Sequence, residues 1–99
     1  MLNEHEGRLI EELIQVAAVA VAAVEDLRHG VTDRSKTEDV FTDIHNERVR
    51  QDEKWGAQRH NPTFWMGILG EEFGEACQEA LRCESEVIAE ADRANRRFR

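Results

Sequence analysis

Glu71, Glu72 and Glu75 stand in the segment "ILGEEFGEACQEAL", residues 68–81, spaced E-E-x-x-E. On a helix, positions i, i+1 and i+4 share an arc of roughly 100°, so the three carboxylates converge. Carboxylates held so closely repel one another, and a divalent cation relieves the repulsion. Their hard oxygen donors suit Mg²⁺ or Mn²⁺. At about 100° per residue, Phe64, Trp65, Ile68, Leu69 and Ala76 occupy one half of the same helix. Glu72, Glu75 and Glu79 fall inside that half, with Glu71 at its edge. An unpaired buried charge costs several kcal/mol, so acids among core-type residues are expected to face a cation. The plain alternative is a solvated acidic face.

The first part of the chain repeats the spacing. "EELIQ" places Glu11, Glu12 and Gln15 as "EEFGE" places Glu71, Glu72 and Glu75. Gln15 offers a carbonyl oxygen to a metal or ligand but no charge. Glu12 and Gln15 adjoin a Val/Ala run, so at least one buried polar group in need of a partner is expected there.

These residues need helices to position them, and the composition supplies them. The 99 residues include one Pro, six Gly and no Tyr, with Ala, Glu and Arg plentiful, which favours helices over strands. The chain is short enough for a single domain, and oligomerisation is the default for so small a core. A net charge of −8 argues against general binding of nucleic-acid polymers. Arg93, Arg96, Arg97 and Arg99 cluster at the end, where cations suit a helix C-terminus, the alternative being a nucleotide or partner contact. Cys77 and Cys83 are six apart, which fits neither a metal-binding pair nor a disulfide framework, and they read as buried or half-buried free thiols in a reducing compartment. The start is acidic rather than basic and then apolar, so no signal peptide is expected. The longest apolar run, Val16–Val24, is about half a membrane span. A cytoplasmic protein without membrane contact follows as the expectation.

Three long helical stretches are expected. The first covers about 4–28, apolar nearly all round and hence surrounded by other helices, with His29-Gly30 as its stop. A polar linker follows at about 29–37, then a helix over about 38–53 and a loop at 54–62. Gly56 ends the second helix, and Asn61 caps a third that begins at Pro62. That third helix is expected over about 62–82, with Trp65 in the core, and residues of about 84–97 either continue it or form a further helical segment. The fold class is all-α: an antiparallel bundle of three to four helices per chain, completed by oligomerisation.

The segment "ERVRQDEKWGAQRHNPTFWMGILGEEFGEACQEAL" resembles the all-α nucleoside triphosphate pyrophosphohydrolases of the MazG-like superfamily, particularly its short phage and mobile-element members. "LIEELIQVAAVAVAAVEDL" is similar to a second segment of the same proteins, and together the two cover about half the chain. The resemblance implies an E-E-x-x-E helix and an E-x-x-D helix holding Mg²⁺ between antiparallel helices, usually within a dimer. Two departures stand out. The segment order is reversed, as in a circular permutation or a helix that completes a neighbouring subunit, with the linker as the new connection. Glu12-x-x-Gln15 also stands where E-x-x-D is expected.

The resemblance and the two acidic motifs together imply Mg²⁺-dependent hydrolysis of a nucleoside triphosphate to monophosphate and pyrophosphate, a nucleotide-pool house-cleaning activity. Glu71, Glu72 and Glu75 would be the catalytic and metal-holding residues, joined by Glu12 and, more weakly, Gln15. Lys54 and Arg59 are phosphate contacts on this reading, Trp55 a base-stacking ring or a packing anchor, and His60 a donor to phosphate or ribose. The partners are the nucleotide and a second copy of the chain, as homodimer or higher oligomer. The alternatives are a nucleotide- or metal-binding module without turnover and a helical interaction subunit. Di-iron carboxylate chemistry wants Glu-x-x-His pairs, and none of the four His has Glu three positions before it.

Overall fold

The structure, a computed structural model, describes residues 3–97, and the side chains of residues 3–96. It consists of three helices, with no strand among the described residues. Helix α1 covers Glu4–Arg28, α2 covers Thr37–Trp55 and α3 covers Pro62–Arg97.

Local chemistry sets each boundary. Asn3 caps α1: its side-chain oxygen accepts from the Glu6 backbone N–H at 2.8 Å, and its amide donates to the Glu6 carboxylate at 2.7 Å. The first bond satisfies one free backbone donor of the first turn, and the second ties the two side chains together. At the other end the His29 N–H donates to the Asp26 carbonyl, and Gly30 turns the chain at a φ of 75°. Helix α2 runs two residues beyond its expected end, to Trp55, and stops at Gly56, which has a φ of 72° and donates to the Asp52 carbonyl at 2.8 Å. Asn61 accepts from the Phe64 N–H at 2.9 Å, so α3 opens on an Asn cap with proline in its first position.

Of the two readings of residues 84–97, continuation of the third helix is the one found. Helix α3 continues for 36 residues, because nothing after Gly74 in "EACQEALRCESEVIAEADRANRR" can end it: the stretch holds no Gly or Pro and is rich in Ala, Glu and Arg.

The chain divides into two units, residues 1–59 and residues 60–99. In the first, α1 packs on α2, and Val21 and Val40 are the buried apolar side chains. An ionic clasp joins the two helices. The Asp43 carboxylate takes Arg28 at 2.7 Å and Arg34 at 2.8 Å, Arg28 also donates to the Arg34 carbonyl, and the Thr37 hydroxyl donates to Glu25. The second unit is α3 with the residues that lead into it.

Three expectations about burial are corrected. Val21 is the only buried residue described on α1, and Glu12 and Gln15 are exposed, because α2 covers just one side of α1. Trp65 is 40% exposed rather than in a core, and Cys77 and Cys83 are both exposed. A unit built on one helix has no second layer to bury either side chain against.

Candidate functional site

The continuous α3 places Glu71, Glu72 and Glu75 within two turns of one helix, all three exposed. With the whole helix in view, their surroundings change. Leu69, Phe73, Ala76, Ala80, Cys83 and Val87 recur at alternating four- and three-residue steps and, with Trp65 one turn before Leu69, form one apolar seam. Glu72, Glu75, Glu79, Glu86 and Glu90 run along one edge of that seam. The acids therefore flank the apolar face rather than lie within it, which removes the conflict between charge and burial.

Glu79 pairs with Arg82 one turn on. Glu71, Glu72 and Glu75 have no hydrogen bond or ion pair among the described residues. Nor do any three His, Cys, Asp or Glu side chains among these residues gather into a group able to hold a metal ion. Glu11, Glu12 and Gln15 lie on the exposed face of α1, in the other unit.

The predicted substrate contacts also divide between the units. Lys54 and Trp55 end α2, with the Lys54 ammonium 4.6 Å from the centre of the Trp55 ring. A cation over an indole face is a favourable arrangement, and it occupies one face of the ring predicted to stack a base. Arg59 is exposed and follows the α2 stop. His60 belongs to the second unit, where its half-buried ring lies 4.4 Å from Phe64 and 4.9 Å from Trp65, edge-on to the indole. These three rings form the aromatic start of α3, so His60 is a packing residue as well as a polar one.

The strongest charge pairing lies away from these residues. Hydrogen bonds from Arg28 and then Arg34 hold the Asp43 carboxyl below its ordinary range, and a hydrogen bond from Arg50 does the same for Glu47. Sequence reasoning misses the Asp43 clasp, because its partners are fifteen and nine positions away and follow no helical spacing. The aromatic start of α3 did carry a signal, with His60, Phe64 and Trp65 at i, i+4 and i+5. Described helices long and apolar enough to cross a membrane are absent. Comparison with protein-family models, with curated proteins and with solved structures finds no match for this chain.

Proposed function

We propose that this chain is a Mg²⁺-dependent hydrolase that converts a nucleoside triphosphate to its monophosphate and pyrophosphate. The observation that supports the reading is the placing of Glu71, Glu72 and Glu75 at i, i+1 and i+4 on an unbroken, exposed helix, downstream of "QDEKWG". Carboxylate oxygens are the donors Mg²⁺ takes, so the donor chemistry fits. No three of these groups gather by themselves, so the reading requires α3 to be joined by an acidic element, for which Glu12 is the candidate, with Gln15 as a neutral oxygen donor beside it.

When bound, the cation supplies neutralisation of the triphosphate charge. A glutamate oxygen of the E-E-x-x-E set accepts the proton of the attacking water. Lys54 and Arg59 bind phosphate oxygens through charge-assisted hydrogen bonds. The Trp55 face away from Lys54 receives a base, and the His60 imidazole orients phosphate or ribose from its place against Phe64 and Trp65.

The test is pyrophosphate release from a panel of ribo- and deoxyribonucleoside triphosphates with Mg²⁺ or Mn²⁺, run beside Glu72→Gln. The expected result is metal-dependent release that falls by about a hundredfold or more in the variant. Absence of release from every nucleotide would overturn the catalytic reading. A second reading, a helical interaction subunit, draws on the exposed apolar seam of α3. On that reading nucleotide with Mg²⁺ leaves the melting temperature unchanged, and Glu72→Gln raises it slightly by relieving repulsion.

A further inference from the structure

We draw no further inference here: the strongest candidate, the exposed apolar face of α3 along Leu69, Phe73 and Val87 with its acidic edge, carries none, because nothing in the structure shows what covers it.

Discussion

Val40 is 2% exposed, whereas its neighbour Phe41 is 57% exposed. The smaller side chain therefore matters more to the first unit. Val40→Ala should destabilise it by about 1–3 kcal/mol, through lost burial and a residual cavity, while Phe41→Ser should change stability by less than about 0.5 kcal/mol. Urea titration of the two variants compares them directly.

Asp43 makes a different prediction. Its carboxyl is held below the ordinary value of 3.8 by Arg28 and Arg34. A carboxylate depressed in the folded state contributes stability that is fully present above its unfolded pKa and is lost as pH falls through the folded value. The clasp should therefore act at every pH above about 5 and fade below about 4. Asp43→Asn should lower the melting temperature at neutral pH and flatten its acid dependence, as measured by thermal melts from pH 2 to 7. None of this was legible in the sequence. Two arginines and an aspartate separated by nine and fifteen residues become neighbours only once the linker has folded back. The local spacings fared better: Asn61, Gly30 and Gly56 act within a few residues of themselves, and each stop or start they predicted is found.

At the scale of the element, Gly56 closes α2 at a φ of 72°. A Cβ there meets nothing within 4 Å, so the cost of a side chain is conformational rather than steric crowding. Gly56→Ala should cost about 1–2 kcal/mol, visible as earlier exchange of the last α2 amides. Helix α3 shows where a pattern read over a short window misleads. Over residues 64–79 the acids and the aromatics appeared to share one face. Over residues 65–87 the repeat resolves into an apolar seam and an acidic edge, because Phe73, Ala80, Cys83 and Val87 move the centre of the apolar face away from the acids. The length of α3 was left open by the sequence between a helix ending near residue 82 and one that runs on. No breaker stands there, and a helix without a breaker continues.

For the whole molecule, acidic residues outnumber basic ones by 21 to 13, and α3 concentrates five of the acids along one edge of its seam. The pairs Glu72–Glu75, Glu75–Glu79 and Glu86–Glu90 stand three or four positions apart, so each repels along that edge. Raising the ionic strength from about 0.01 to 0.15 M shortens the screening length from about 30 to 8 Å, which weakens the repulsion. Melts followed by circular dichroism should show greater helical stability at the higher salt concentration. The all-α class was legible from composition. The burial of individual residues was not, because an apolar pattern shows that a face needs covering without showing which surface covers it. Trp65 was assigned to a core for that reason, and Cys77 and Cys83 to a buried or half-buried place as free thiols; all three are exposed.

The clasp at the α1–α2 turn has a consequence for how this chain can change over generations. Two of its ties, Arg28 to Asp43 and Glu25 to Thr37, run from helix to helix and bypass residues 29–36. The alignment of the pair thus depends little on the strand of backbone between them. Lengthening such a connection carries a small entropic penalty, about 0.6 kcal/mol for each doubling, and exposed polar turns are where inserted sequence is best tolerated. The stretch "VTDRSK" is therefore a seam in the gene as much as in the protein, a place where coding sequence can be spliced, extended or rejoined in a new order while the helices on either side keep their grip.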